Sequence, residues 1–206
     1  MTMSAKDKIL FSAFKLFLEK GFAGVSTSDI KMEAGVSTGN FYHHFKTKED
    51  LIVKVMEKYI FDFFDSNLEA IRQFDGDYKD NLYYLLIKIS GYDIEMTNET
   101  SFYSQFEISD FRRIHLLYLE GIQKYEIMRD RYCSFNLKLL DYIKEIVVKG
   151  QSEGEIIDMD SDDLAKFVQS TINGTFLMWV SVPDYDLVEL MRTNIDSMWD
   201  FIKVEK

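Results

Sequence analysis

Ser37, Thr38, Gly39 and Asn40 stand in a row, and Tyr42, His43, Lys46 and Lys48 follow them closely. Hydroxyls, an amide, an imidazole and two ammonium groups on so short a stretch form a donor-rich, positively charged surface. That is the chemistry of phosphate and base-edge recognition. Thr27 and Ser37 are also of the type that caps helices. Elsewhere no nucleophile is paired with a base, and there is no metal-ligand motif or phosphate loop. No catalytic residue, cofactor or metal site is expected, and the chain does not read as an enzyme. His43 and His44 are adjacent, so on a helix they do not converge on one ion. His115 stands alone and reads as structural. Asp158, Asp160, Asp162 and Asp163 resemble the opening of a calcium loop, but Asp163 and Gln169 occupy the places of its glycine and closing glutamate. An acidic start to a helix near Ser161 accounts for that run better.

The elements that hold the polar stretch are short helices. Ile9, Leu10, Ala13, Phe14 and Phe17 recur at helical spacing and predict a first helix over 5–20, stopped at Gly21. Ser26 with Asp29 is a capping-box-like start for a second helix reaching about Ala34. Gly35 permits a left-handed turn residue, and Ser37 or Thr38 can cap a third helix whose Phe41 and Phe45 face inward together. Thr47 can cap a fourth, with Glu49 and Asp50 in its first turn. Two short helices joined through Gly35 and Val36 make a helix-turn-helix, whose second helix enters the major groove. Glycine at 39 costs a helix about 1 kcal/mol relative to alanine. Close approach of another backbone, such as DNA, is one reason to keep it.

Beyond Asp50 the helices lengthen. One is expected over 48–72, with a break at Asp75-Gly76-Asp77, and another over 77–91. A polar turn at Thr97–Thr100 precedes a candidate over 101–117. Tyr125, Met128, Tyr132, Phe135, Leu139, Tyr142 and Ile146 alternate by three and four, a heptad seam on a helix over 122–149, which Gly150 and Gly154 end. The last two helices, about 161–181 and 185–203, are separated by Pro183, the chain's one proline. The reading is therefore all-α: a three-helix helix-turn-helix head over 1–48, then a helical-bundle body over 49–206 for ligand sensing and dimerisation, with about nine helices in all.

Charge supports that division. The chain carries −11 overall, but residues 1–48 hold seven lysines against four acids. A locally positive head on an acidic body still suits DNA. Cys133 is the only cysteine, so no intrachain disulfide or cysteine metal cluster forms, which fits a reducing cytoplasm. No signal-peptide pattern and no apolar run long enough to span a bilayer occurs, so no membrane association is expected.

The run from Gly35 to Leu51, within residues 24–51, resembles the signature of the TetR family of bacterial regulators almost throughout. Lys149–Ile156 is similar to the end of that family's long seventh helix, and Asn173-Gly174 fits its penultimate helix more loosely. The resemblance implies that Thr27 and Lys48 meet phosphates. It also implies that Ser37, Thr38 and Gly39 face phosphates and base edges, and that Tyr42 and His43 grip the backbone. Ile30, Ala34, Val36, Phe41, Phe45 and Leu51 match core positions of the head, with Phe41 in place of the commoner leucine.

Fourteen of the 31 aromatic residues lie between Tyr59 and Tyr118. The family places an effector cavity in this region, which makes Phe63, Tyr103, Phe106, Tyr118 and Trp179 candidates for lining it, though each also suits a core. Its last two helices pair with their copies, which makes Phe167, Ile172, Leu187, Met191, Ile195 and Met198 candidates for a homodimer interface. The expected function is a ligand-responsive cytoplasmic regulator, a repressor released from a pseudo-palindromic DNA operator by a small apolar or aromatic effector. The alternatives are a protein–protein module with a diverted head and a helical enzyme.

Overall fold

A computed structural model describes residues 3–90 and 108–205. Among these residues the regular structure is helical, apart from an isolated antiparallel bridge between Ile156 and Lys203. The helices are α1 (Ala5–Lys20), α2 (Thr27–Ala34), α3 (Thr38–His44), α4 (Lys48–Met56), α5 (Asp62–Arg72), α6 (Tyr78–Ser90), α7 (Ile108–Lys124), α8 (Glu126–Ser152), α9 (Ser161–Ser181) and α10 (Leu187–Ile202). A π-helical turn, Glu57–Phe61, joins α4 to α5 without a break, so Lys48–Arg72 runs on as the single helix expected, with a π turn that no periodicity foretold.

The short helices are fixed by their ends. Ser4 accepts from the Asp7 amide to start α1, and Gly21 closes it at φ 68°. Ser26 and Asp29 form a reciprocal capping box at α2, and Gly35 ends that helix in the left-handed region at φ 63°. Ser37 caps α3, and Thr47 caps α4 through the Asp50 amide. Each such cap is worth about 1 kcal/mol, which matters for helices this short because they cannot nucleate unaided.

Later boundaries differ in detail. The helix expected over 101–117 is α7, Ile108–Lys124. Positions 97–107, including the expected turn and the start of that helix, lie outside the described residues. The helix expected over 122–149 starts later, because α7 closes at Lys124 and α8 opens at Glu126. The missing side chain of Gly121 leaves room for Met128, whose sulfur would lie 2.5 Å from a Cβ there, and Tyr125 stands between the two helices. The seam then holds as a buried row of Met128, Phe135, Leu139, Tyr142 and Ile146, with Tyr132 half-buried. Gly150 does not end α8. It sits two residues inside the helix, where a Cβ would strike Ile156 at 2.5 Å, and Gly154 at φ 71° makes the turn.

The chain forms two compact units. The first comprises residues 1–64 and 107–132, the second residues 65–106 and 133–206. In the first, α1 packs on α2, α3, α4 and α7. Ile9, Phe14, Phe17, Ile30, Phe41, Phe45, Leu51 and Val55 close its core. In the second, α10 packs on α9 and α6 around Leu85, Leu164, Val168, Ile172, Trp179, Met191 and Ile195. A polar pin crosses that packing: Asn194 donates to the Thr175 hydroxyl (2.8 Å), which donates to the Thr171 carbonyl (2.8 Å).

Candidate nucleic-acid interface

All nine residues read as DNA contacts lie on α2, the α2–α3 turn, α3, the α3–α4 turn and the first residue of α4, within the first unit. Core packing presents them. Phe41 and Phe45 are buried with ring centroids 6.1 Å apart, and their burial turns the other face of α3 outward. Ile30, Ala34 and Leu51 are buried as the signature implies, while Val36 is half-buried.

Ser37, Thr38, Gly39, Tyr42, His43 and Lys46 are exposed, and Thr27, Asn40 and Lys48 are half-buried. The helix-cap reading of Thr27 gives way to its neighbour, because Ser26 caps α2 while Thr27 begins it. Ser37 does cap: its Oγ accepts from the Asn40 amide at 3.2 Å, which leaves its own O–H to donate elsewhere. Lys31 donates from Nζ to Thr38 Oγ1 at 3.2 Å, bringing an ammonium from α2 to the start of α3. Sequence reading passed over Lys31. Its place on the α2 face nearest the turn was the available signal.

Gly39 has nothing within 4 Å of where a Cβ would sit, and its φ is not positive. Neither packing nor backbone conformation within the chain requires glycine there. Tyr42 stays 44 % exposed although its ring edge rests on Phe41 at 5.3 Å. His43 lies against His44, ring centroids 5.0 Å apart. Lys46 is anchored through its backbone amide, which donates to Asp50 Oδ2 at 3.2 Å. Lys48 is held differently, donating from Nζ to the Phe22 carbonyl at 2.5 Å. The Ser26 hydroxyl and amide hold the Asp29 carboxyl below the usual carboxylate range, so the box carries a charge at the α2 N-terminus.

The effector candidates divide between the units. Tyr118 is buried in the first among Phe61, Phe64 and Tyr132, at centroid distances of 5.9, 5.4 and 5.3 Å. Phe63 is half-buried beside Phe64. Trp179 lies wholly in the core of the second unit. Tyr103 and Phe106 lie outside the described residues. A cleft of about 640 Å³ in the second unit is walled by Tyr78, Tyr142 and Trp199 among charged side chains, and none of the three described candidates lines it.

The dimer candidates need correction. Ile172, Leu187, Met191, Ile195 and Met198 are buried within the second unit of a single chain, so they have no area left for a partner. Of the six, Phe167 alone is exposed, at 42 %, with its ring 5.5 Å from that of exposed Phe201.

Residues 9–55 match the family described as bacterial regulatory proteins, tetR family. Over 55 residues the chain is 44 % identical to the HTH-type transcriptional regulator YerO of Bacillus subtilis, a match covering 27 % of this chain and 19 % of that protein. It is 26 % identical to the HTH-type transcriptional regulator QacR of Staphylococcus aureus over 84 % of each chain. A structure from Saccharomonospora viridis, solved in complex with choline, has the same fold, with a TM-score of 0.74 at 21 % identity over 98 % of both chains.

Proposed function

Starting from a chain that is a TetR-family transcriptional regulator, we propose that it is a repressor released from a pseudo-palindromic DNA operator by a small effector. One observation carries the DNA half of this reading. The second helix of the helix-turn-helix turns a continuous polar face outward, and its Gly39 serves nothing within the chain. A helix that forgoes about 1 kcal/mol at an exposed position is kept that way for an outside surface. Thr27, Ser37, Thr38, Tyr42, His43, Lys46 and Lys48 bind phosphates or orient the helix. Asn40 reaches base edges, joined by the hydroxyl of Thr38 and the bare backbone of Gly39. The functional division is a head over 1–48 and a sensing and dimerising body over 49–206.

The effector is apolar or aromatic, and Phe63 and Tyr118 of the first unit are the candidates for holding it. The choline in the S. viridis structure supports a small-molecule effector of some kind, without naming this one. The homodimer forms through the exposed faces of α9 and α10, where Phe167, Leu177, Met178 and Phe201 are 42, 58, 45 and 59 % exposed. A Cβ at Gly174 would meet nothing within 4 Å, which leaves room for a second helix to approach. The protein acts in the cytoplasm without catalysing a reaction. None of the described helices is long and apolar enough to cross a membrane.

Capture and sequencing of the DNA bound by this protein in cells tests the reading. The expected result is enrichment of pseudo-palindromes whose half-sites lie about 34–36 Å apart. No enrichment over a strain lacking the protein contradicts it. In solution the chain should sediment as a dimer, and Leu177→Glu with Phe201→Glu should make it a monomer.

A further inference from the structure

Phe22 links the end of α1 to both α4 and α7. Its ring is buried, edge-on to Phe17 at 5.2 Å and to Tyr125 at 5.9 Å. Both of its backbone polar groups are taken by charged side chains from other helices. The Phe22 amide donates to Glu120 Oε2 on α7 at 3.3 Å, and the Phe22 carbonyl accepts from Lys48 Nζ at the start of α4 at 2.5 Å. The carboxylate is itself fixed, because Lys124 donates to Glu120 Oε1 at 2.6 Å. Gly21 makes room for it: a Cβ at that position would lie 3.2 Å from Glu120 Oε2, on a backbone at φ 68°.

The consequence follows from donor counting. An ammonium has three N–H groups. One of those on Lys48 is spent on Phe22, which fixes the stem and leaves two for an outside acceptor. A lysine held this way loses less side-chain entropy when it meets a phosphate than one swinging freely. The hold is only as firm as the Phe22 backbone, and Glu120 anchors that backbone from α7.

We propose that Glu120 is a positioning residue for DNA binding: through the main chain of Phe22 it sets where Lys48 presents its ammonium. The proposal rests on the operator-binding reading and adds to it the residue that joins α7 to the phosphate-binding edge of the head. Glu120 touches no DNA. Its effect is indirect, and it must therefore disappear when Lys48 is gone.

The test is a double-mutant cycle on the full-length protein. Operator affinity is measured for wild type, Glu120→Ala, Glu120→Gln, Lys48→Met and the Ala/Met double variant, with urea unfolding of each alongside. Glu120→Ala should weaken binding about tenfold, and the same change should have no further effect in the Lys48→Met background. Gln keeps an oxygen that accepts from the Phe22 amide, so Glu120→Gln should restore most of the loss. The NMR signal of 13C-dimethylated Lys48 should shift in Glu120→Ala and stay near its wild-type position in Glu120→Gln. Losses that add across the cycle, or a Lys48 signal unmoved by Glu120→Ala, overturn the proposal. Lower stability without lower affinity also overturns it, since it shows a merely structural carboxylate. Failure of the wild-type protein to bind any DNA overturns the operator-binding reading instead, and the Lys48 signal still decides whether Glu120 positions that lysine.

Discussion

Polar side chains are used differently on α3 and in the second unit. In the second unit charged groups answer one another: Arg72 meets Glu145 at 3.0 Å, Lys79 meets Asp196 at 2.6 Å and Lys144 meets Asp162 at 2.5 Å. Buried hydroxyls there are engaged too, as where Tyr142 donates to the Ile71 carbonyl at 3.1 Å. On α3 the polar groups face outward, and their bonds within the chain are brief and local: a cap at Ser37 and single lysine contacts at Thr38 and Tyr42. A surface whose polar groups satisfy one another has little to offer a partner. One whose donors stand outward on a rigid helix is ready for an acceptor that the chain does not supply.

The sharpest way to break this comparison is at adjacent residues. Phe41→Ala empties the core of the head and should cost about 3–5 kcal/mol, read by urea unfolding. Tyr42→Ala, one residue on, should change stability by less than about 0.5 kcal/mol and yet weaken DNA binding, read by anisotropy. If the two variants lose stability alike, α3 is packed on both faces and the contrast fails.

That pair also shows what was legible. Phe41 and Phe45 at helical spacing determine which face of α3 turns inward, so the polar set on the other face is legible from spacing alone. Ser26, Ser37 and Thr47 announced their helices through local hydrogen bonding, which depends only on near neighbours. Long-range pairing was not legible. α9 carries apolar residues on two sides, and composition alone cannot tell buried Ile172 and Trp179 from exposed Leu177 and Met178. Their fate is set by where α10 packs, and so five residues read as a partner surface lie in the chain's own core. The π turn at Glu57–Phe61, the reach of Lys31 to Thr38 and the grip of Glu120 on Phe22 likewise depend on contacts that no spacing rule records.

Ser26→Ala should cost about 1 kcal/mol, because it removes half of the capping box at α2. Its effect on DNA affinity should be no larger than that loss explains. Gly39→Ala should move the two properties in opposite directions. With open space at the Cβ and an ordinary helical backbone, it should stabilise the head by about 0.5–1 kcal/mol, while the added methyl hinders the approach of DNA. A variant that is both stabler and undiminished in binding would remove the main reason for reading Gly39 as an interface residue.

The smallest effect expected is that of pH on the box. The Asp29 carboxyl is held below its ordinary 3.8, so its contribution is fully present above that value and is lost as pH falls through the lowered one. Asp29→Asn should flatten the stability profile at the acid end and leave it unchanged near neutrality apart from a constant offset.

The central claim is that the outward face of α3 and the start of α4 read DNA. Fluorescence anisotropy on labelled DNA from upstream of this protein's own gene tests it most directly, with a scrambled duplex and the double variant Tyr42→Ala, Lys48→Ala as controls, at two salt concentrations. The expected result is tight binding to the natural sequence that weakens as salt rises and is lost in the variant. Equal binding by wild type and variant, with both folded, would contradict it.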